Sequence, residues 1–210
     1  MSEPVAVAVL AKAPLAGFAK SRLIPVLGAQ GAARLQAHLI AHAIATASAA
    51  AIGPVTLWAT PDEHHPDLQA IAAEDDVALE RQCDGDLGAR MLAALEAANG
   101  PAVVIGTDCP VLTSDHLRTA ADILRSGSDA VVIPAEDGGY VLIGMGAAQP
   151  DLFSDMRWST PGVMAETRRR LERLAMSWQE PFTLWDVDLP ADLHRLCQAG
   201  LRHLIPEPGA

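Results

Sequence analysis

Short apolar runs alternate along this chain with longer segments whose apolar residues recur every three or four positions. The runs predict strands at residues 5–11, 55–59, 77–79, 102–105, 130–133, 140–143 and 182–185. The periodic segments predict helices at residues 30–51, 67–73, 87–98 and 160–178, and others that begin near residues 113 and 190. Because strands and helices alternate, we expect an α/β fold with a mostly parallel sheet covered by helices on both faces.

Length and charge narrow the class of protein. The 210 residues contain no internal repeat and no linker, so we expect a single domain over residues 1–210. The formal net charge of -11 argues against nucleic acid as a partner, since binding to a phosphate backbone depends on basic residues. A negative protein also repels free nucleotides unless a cation or a local basic cluster intervenes.

The N-terminal sequence and the spacing of the cysteines favour a cytoplasmic protein. The N-terminal Met-Ser-Glu-Pro lacks the basic flank of a signal peptide, and the three cysteines are too widely spaced for a metal motif. No charged residue lies between Arg34 and Asp62, but the histidines and the Gly53-Pro54 break in this stretch predict a buried helix, a turn and a strand. We therefore expect no membrane partner, and the sequence leaves the oligomeric state open.

The strongest chemical signal is a basic loop after the first predicted strand. The chain has two lysines, Lys12 and Lys20, and both lie in this loop together with Gly17 and Arg22. Lysine contacts phosphate as a movable point charge, and open α/β sheets bind ligands at the carboxyl ends of their strands. The loop matches neither the Walker A nor the GxGxxG pattern. A solvated surface loop is the alternative, but the clustering of cations favours phosphate binding.

Carboxylates follow two other predicted strands. Asp108 comes soon after the fourth strand, and Asp186 and Asp188 come after the last one, two residues apart, so that in an extended segment they point the same way. Carboxylate oxygens suit Mg²⁺ or Mn²⁺, which often reaches a protein through one or two carboxylates and the substrate phosphates. The alternatives are a turn formed by Asp108 before Pro110 and capping of the last helix by Asp188.

Three further segments carry weaker signals. Residues 82–91 crowd glycines and polar side chains at a helix start, where the backbone approaches a base or ribose, although helix entry alone also accounts for them. Residues 136–140 join two strands through Glu-Asp-Gly-Gly-Tyr, which suits either an acceptor site or a hairpin turn. Residues 158–161 either bind an anion at a helix start or cap the helix.

Four motifs occur in an order typical of one protein family. They are Lys-Ala-Pro…Gly…Lys-Ser-Arg-Leu from Lys12, Gln…Gly-Asp-Leu-Gly-Ala-Arg-Met from Gln82, Gly-Thr-Asp-Cys-Pro around Asp108, and Asp-Gly-Gly-Tyr from Asp137. Together, over about residues 5–195, they resemble a bacterial glycosyltransferase-like family that includes proteins linked to arsenosugar biosynthesis. That family is similar to the 2-phospholactate guanylyltransferases and belongs with the nucleotide-diphospho-sugar transferases of the GT-A type.

The resemblance implies a Rossmann-like mixed sheet in three α/β/α layers and a divalent metal, Mg²⁺ or Mn²⁺. It implies that Asp108 and Asp188 bind this metal. The residues that it implies for the nucleotide and its phosphates are Lys12, Gly17, Lys20, Arg22, Gln82, Gly85 and Arg90. The first loop departs from the GGxGxR pattern of sugar-nucleotide pyrophosphorylases, which counts against a triphosphate donor.

Three functional hypotheses follow, with Lys20, Asp108 and Asp137 as the predicted catalytic residues. The first is a glycosyltransferase, in which the metal and the lysines neutralise the leaving nucleoside diphosphate and Asp137 acts as base toward a small-molecule acceptor. The second is a nucleotidyltransferase that joins a nucleoside triphosphate to a phosphate monoester with release of pyrophosphate, which the clustered cations favour. The third is a non-catalytic nucleotide-binding module.

Overall fold

The computed structural model describes residues 3–207, and within them strands and helices alternate as the sequence predicts. The strands are β1 (Ala6–Lys12), β2 (Val55–Thr60), β3 (Ala78–Arg81), β4 (Ala102–Ile105), β5 (Ala130–Pro134), β6 (Tyr140–Met145) and β7 (Trp178–Gln179). The helices are α1 (Ile24–Ala50), α2 (Pro66–Glu74), α3 (Leu87–Ala97), α4 (Ser114–Arg125), α5 (Val163–Arg173) and α6 (Pro190–Gln198). Short 3-10 turns occur at Ser21–Leu23, Pro150–Leu152 and Arg202–Leu204.

These strands form one mixed sheet in the order β3-β2-β1-β4-β6-β5-β7. Pairing is parallel except at β6, which runs antiparallel to both β4 and β5. The predicted mostly parallel sheet is therefore confirmed. Since β6 runs in reverse, its first residue lies at the same edge as the carboxyl ends of the parallel strands.

Helices cover both faces of the sheet. On one face, Ile40 of α1 and Leu117 of α4 are fully buried in a cluster with side chains of β1, β4 and β5. On the other face, Met91 of α3 and Leu171 of α5 belong to a second cluster, which also takes residues from β1, β4 and β5. Burying one such side chain contributes about 1.5–3 kcal/mol, so the two clusters hold the layers together. The three-layer α/β/α prediction is confirmed.

A smaller hydrophobic cluster brings the C-terminal part of the chain to the first loop. Leu23, just before α1, and Leu35 and Leu39 within α1 are fully buried with Val187 and with Leu196 of α6. Val187 has no exposed surface, so the extended segment that carries Asp186 and Asp188 is anchored between those two residues. This packing brings carboxylates from the end of the chain to the lysine loop at its beginning.

The predicted strand at residues 182–185 is wrong. In this segment only Leu184 forms an isolated bridge, with Ala135, whereas the last strand is Trp178–Gln179, where a helix was expected. Helix α5 ends at Arg173, and Ala175 takes a left-handed conformation with φ of 52° that turns the chain back toward β5. A two-residue edge strand depends on its partner, so no periodicity within the segment reveals it.

The first helix begins earlier than predicted, at Ile24, because a kink at Gly28 joins a short leading turn to the long helix. Gly28 has φ of 71° and ψ of 166°, which interrupts the helical pattern just before the predicted start at residue 30. No helix within residues 3–207 is long and apolar enough to cross a membrane. A single domain over residues 1–210 stays a prediction.

Candidate functional site

One cleft of about 500 Å³ opens at the edge of the sheet where β1, β2 and β4 end and β6 begins. Its floor consists of strand ends such as Lys12 and Ile105, and its walls come from the first loop, the start of α3, the β5–β6 turn and residues 186–188. Ligands of open α/β sheets bind outside the carboxyl ends of the strands. The position of the cleft is therefore the one expected for a substrate site.

The cleft gathers most of the predicted site residues. Those that line it are Lys12, Lys20, Arg22, Gln82, Arg90, Asp108, Asp137 and Asp188. Gly17 and Gly85 do not line it. Both have positive φ, of 86° and 119°, so glycine is needed at these positions for the backbone conformation of the loops.

Lys20 is the most enclosed cation of the cleft. Its Nζ lies 2.7 Å from Asp108 Oδ1, and its side chain is only 5% exposed. The same ammonium donates a hydrogen bond of 2.6 Å to the carbonyl oxygen of Val187. The predicted phosphate-binding lysine is thus held by two oxygen atoms of the protein, whereas Lys12 at the end of β1 is exposed to solvent.

Two further contacts, besides the ion pair with Lys20, hold Asp108 in place. The Thr107 hydroxyl donates to Asp108 Oδ1 at 3.3 Å and accepts from the side-chain amide of Gln36 on α1 at 3.2 Å. The backbone N–H of Val187 donates to the Asp108 carbonyl at 2.7 Å. The Gln36 amide also donates to the carbonyl of Lys12, so this buried network joins the first loop to the Asp108 turn. Sequence reasoning missed Gln36 and Thr107, because their partners lie far away in the chain.

The two aspartates flanking Val187 have different surroundings. Asp188 pairs with Arg22, and both side chains are largely exposed. Asp186 faces the cleft, and burial raises its pKa to about 6, with the negative charges of Asp137 and Asp108 adding to the rise and Lys20 opposing it. The alternative role of Asp188 as a helix cap is wrong, because Asp192 accepts the backbone N–H groups of Asp188 and Leu189 at the start of α6.

The β5–β6 connection is a hairpin turn that also lines the cleft. Asp137 Oδ1 accepts the backbone N–H of Gly139 at 2.9 Å, which fixes the carboxylate within the turn. Gly138 has φ of 91°, and a Cβ there would lie 2.2 Å from the Pro161 carbonyl oxygen. Its own carbonyl accepts the N–H of Met164 at 2.8 Å. The turn is therefore pressed against the start of α5, which fixes where Asp137 stands.

Gln82 and Arg90 form the wall on the side of β1 and β2. The amide nitrogen of buried Gln82 donates to the carbonyls of Ala11 at 3.0 Å and Trp58 at 2.8 Å. Its oxygen lies 3.5 Å from Arg90 Nη1, while Arg90 Nε is buried without a hydrogen-bond partner in the described residues. The Gln82 amide thus ties two strand ends together and leaves its oxygen and the Arg90 guanidinium facing the cleft.

Aromatic side chains complete the cleft opposite the carboxylates. Tyr140 and Trp158 meet edge to face with ring centroids 6.4 Å apart, and burial raises the pKa of Tyr140. A Cβ at Gly88 would lie 2.7 Å from Trp158 Cζ2, so the glycine leaves room for the indole. Phe18 on the first loop also lines the cleft and is 75% exposed. Trp158 belongs to the segment predicted either to bind an anion or to cap a helix; helix α5 has Gly162 as its N-cap and no side-chain cap, and anion binding stays a prediction.

The oxygen atoms around Lys20 suit a divalent cation. The ammonium contacts the Asp108 carboxylate and the Val187 carbonyl, and these are hard oxygen donors of the kind that Mg²⁺ and Mn²⁺ take. Within residues 3–207 no group of three or more His, Cys, Asp or Glu side chains could hold a metal ion. The site therefore fits the mode in which one or two carboxylates share the ion with substrate phosphates.

With this geometry in view, comparison with known families places the chain. A family described as uncharacterized protein conserved in bacteria (DUF2064) matches residues 43–160, which is more than half of the chain. The chain belongs to this family. No curated protein matches it.

Solved structures relate the fold to transferases. The chain is 27% identical to a protein from Desulfovibrio desulfuricans G20, provisionally described as a nucleotide-diphospho-sugar transferase, with a TM-score of 0.80 over 90% of this chain and 84% of that one. The predicted superfamily and fold class are confirmed by this similarity. The same similarity, to a protein described as a transferase, supports the prediction of an enzyme.

Two more distant structures share the fold. CMP:2-keto-3-deoxy-manno-octonic acid synthetase, in complex with CTP, is 13% identical with a TM-score of 0.60 over 96% of this chain and 100% of that one. Glucosyl-3-phosphoglycerate synthase from Mycobacterium tuberculosis, in complex with Mn²⁺, UDP and glucosyl-3-phosphoglycerate, is 11% identical with a TM-score of 0.56 over 98% of this chain and 82% of that one.

Proposed function

We propose that the protein is a metal-dependent glycosyltransferase that takes a sugar from a nucleotide-diphospho-sugar. The observation that carries this proposal is the charge cluster at the sheet edge, where an enclosed ammonium lies among hard oxygen atoms beside the exposed Lys12 and Arg22. A diphosphate needs cations, and in a chain with net charge -11 this cleft concentrates them. Similarity to a provisionally assigned nucleotide-diphospho-sugar transferase supports the same donor class.

The donor would bind with its diphosphate between the first loop and the carboxylates. Lys12, Arg22 and Arg90 line the cleft and would neutralise the phosphate oxygens. We assign Asp108 and Asp186 as the residues that hold Mg²⁺ or Mn²⁺, since Asp188 is paired with Arg22 and Asp186 faces the cleft. The predicted Asp188 becomes a ligand only if Arg22 releases it on contacting phosphate.

Transfer requires a base and a stabilised leaving group. The bound metal supplies electrostatic stabilisation of the departing diphosphate. The acceptor hydroxyl oxygen forms a bond to the anomeric carbon while the bond from that carbon to the diphosphate oxygen breaks, and its electron pair leaves with the nucleoside diphosphate. The hydroxyl proton passes to Asp137, whose carboxylate is oriented by the Gly139 N–H at the cleft wall.

Nucleotidyl transfer is the second candidate, and one observation favours it. Lys12, Lys20 and Arg22 place three cations on a single loop at one strand end, which suits the charge of a triphosphate. In that case a phosphate monoester would attack the α-phosphorus in line, and pyrophosphate would leave with the electron pair of the broken P–O bond.

A binding panel followed by product analysis tests the proposal. We expect one nucleotide-sugar, with Mg²⁺ or Mn²⁺ but not with EDTA, to stabilise the protein by about 2.7 kcal/mol at a hundred times its dissociation constant. Phosphorus NMR of reactions with candidate acceptors should then show a nucleoside diphosphate as product. Pyrophosphate released from a triphosphate would establish nucleotidyl transfer instead.

Asp108→Asn and Asp122→Asn form a matched pair for this panel. Asp108 lies in the cleft, whereas Asp122 lies on the solvent side of α4, where its exposed side chain pairs with Arg125. We expect Asp108→Asn to abolish the metal-dependent stabilisation and Asp122→Asn to retain it. If no nucleotide stabilises the unaltered folded protein with either metal, the proposed function is wrong.

A further inference from the structure

We propose that Lys20 occupies the metal position of the free protein and is exchanged for the divalent cation when a metal–nucleotide complex binds. The ammonium then turns to the phosphates of the same complex. This inference rests on the proposed function in one respect, the use of a divalent cation. It adds that the species recognised is the metal–nucleotide complex, because the metal alone must compete with a tethered cation.

Lys20 already neutralises the carboxylate that a metal ion would need. The ammonium takes Asp108 Oδ1 at 2.7 Å and the Val187 carbonyl at 2.6 Å. A metal ion at Asp108 needs the same carboxylate and would stand within a few ångströms of an ammonium that is 5% exposed. Repulsion between two enclosed cations is poorly screened. The metal therefore enters as Lys20 leaves.

The first loop gives Lys20 a route out. The backbone of Lys20 is left-handed, with φ of 48° and ψ of 45°, a conformation that is unfavourable for a residue with a side chain. Gly17, three residues earlier, has φ of 86°, and a Cβ there would meet nothing within 4 Å, so no neighbouring side chain or backbone packs against the loop at that position. The ion pair to Asp108 and the bond to Val187 offset the backbone cost in the free protein. Leaving these contacts lets the loop relax toward bound phosphates in the cleft.

Exchange predicts that metal binding without nucleotide is weak in the native protein and strong once Lys20 is neutralised. If the metal position is open in one molecule in ten, the apparent dissociation constant is about tenfold larger than that of the open site. With nucleotide present, the phosphates receive the displaced ammonium. The two ligands should then bind with positive coupling.

Manganese titration of two matched variants tests the exchange. The chain has two lysines, and both line the cleft, but of these two lysines only Lys20 forms an ion pair within the described residues. Free Mn²⁺ measured by electron paramagnetic resonance, without nucleotide, should show that Lys20→Met binds Mn²⁺ about tenfold more tightly than the native protein. Lys12→Met removes the same charge from a solvated position and should change the affinity by only about twofold.

A second measurement uses the native protein, so that a failure of Lys20→Met to fold does not matter. Lysine labelled with ¹³C at Cε gives two signals, and Lys12→Arg identifies them. Titration with Mg²⁺ alone should shift the Lys20 signal to saturation and leave the Lys12 signal nearly unchanged.

Several results would overturn the exchange. The first is that folded Lys20→Met binds Mn²⁺ no more tightly than the native protein does. The second is that Lys12→Met gains as much Mn²⁺ affinity as Lys20→Met. The third is that the NMR signal of Lys20 does not shift while Mg²⁺ binds. The proposed function fails by a different result, the absence of any stabilising nucleotide. If Lys20→Met binds Mn²⁺ more tightly but no nucleotide in the panel stabilises the native protein, the exchange is supported and the glycosyltransferase proposal is rejected.

Discussion

Replacing Gly138 by alanine should disturb the turn that carries Asp137, and the structure allows the size of the effect to be separated into two parts. The first is conformational, because φ at Gly138 is 91° and alanine in such a conformation costs about 1–2 kcal/mol. The second is steric, because the new Cβ would lie 2.2 Å from the Pro161 carbonyl oxygen and 2.8 Å from Pro161 Cα. Backbone atoms cannot rotate away, so the turn and the start of α5 must separate.

Gly127→Ala provides the control for the conformational part alone. Gly127 follows α4, has φ of 95°, and a Cβ there would meet nothing within 4 Å. We expect Gly127→Ala to lower the free energy of unfolding by about 1–2 kcal/mol. Gly138→Ala should lose a further 1–3 kcal/mol, about the cost of overpacking. In a domain of this size each kcal/mol lowers Tm by about 2–4 °C.

Urea unfolding and the nucleotide panel together decide this prediction. Gly138→Ala should be the less stable variant and should also bind its nucleotide ligand less well, since Asp137 and the neighbouring wall move. Gly127→Ala should bind as the native protein does. Equal stability of the two variants would show that the turn does not press on Pro161, and the reasoning about how Asp137 is positioned would be refuted.

Two further substitutions probe the cleft walls. The Asp186 carboxyl has a pKa of about 6 in the folded state against an ordinary value of 3.8, so the stability of the native protein falls as pH rises from about 4 to 6. In metal-free buffer at pH 7.5, Asp186→Asn should therefore be more stable than the native protein by about 1–2 kcal/mol, a figure that is reduced because the carboxyl is partly exposed. Urea unfolding at pH 4 and pH 7.5 measures this, and a less stable variant at pH 7.5 would contradict it. In Gly88→Ala the new Cβ would lie 2.7 Å from Trp158 Cζ2, so this variant should have a free energy of unfolding lower by about 1–3 kcal/mol and an altered tryptophan fluorescence. The control Gly100→Ala, whose Cβ would meet nothing within 4 Å, should change neither property. Equal stabilities and equal fluorescence spectra of the two variants would count against the Trp158 contact.

Much of the fold was predictable because its signals are local. Strand β4 was predicted with both of its ends, since a continuous apolar run bounded by Gly-Pro and by Gly-Thr-Asp carries its own limits. The N-cap of α3 was also predicted, and Asp86 accepts the N–H of Ala89 at 2.9 Å. Periodicity and capping depend on residues a few positions apart, so they can be predicted from the sequence.

The sequence also indicated which strand ends carry cations and carboxylates, because polar residues after apolar runs lie at one edge of a parallel sheet. Eight of the ten predicted site residues line the cleft, and they come from the first loop, the strand ends, helix α3, the β5–β6 turn and the segment before α6. Strand direction accounts for the residues at the strand ends, whereas helix α3 carries Arg90 and the packing of Val187 places Asp188.

The pairings within the cleft were decided by tertiary structure. Nothing local shows that Lys20 is enclosed between Asp108 and the Val187 carbonyl while Lys12 stays in water, since the contact depends on the packing of Val187 under α1 and α6. The same packing directs Asp186 into the cleft and leaves Asp188 paired with Arg22, although the two aspartates lie only two residues apart in the chain. Strand β7 likewise exists only because β5 offers it an edge. The chain thus determines its elements through neighbouring residues, whereas burial and charge pairing depend on segments that meet only once the sheet has formed.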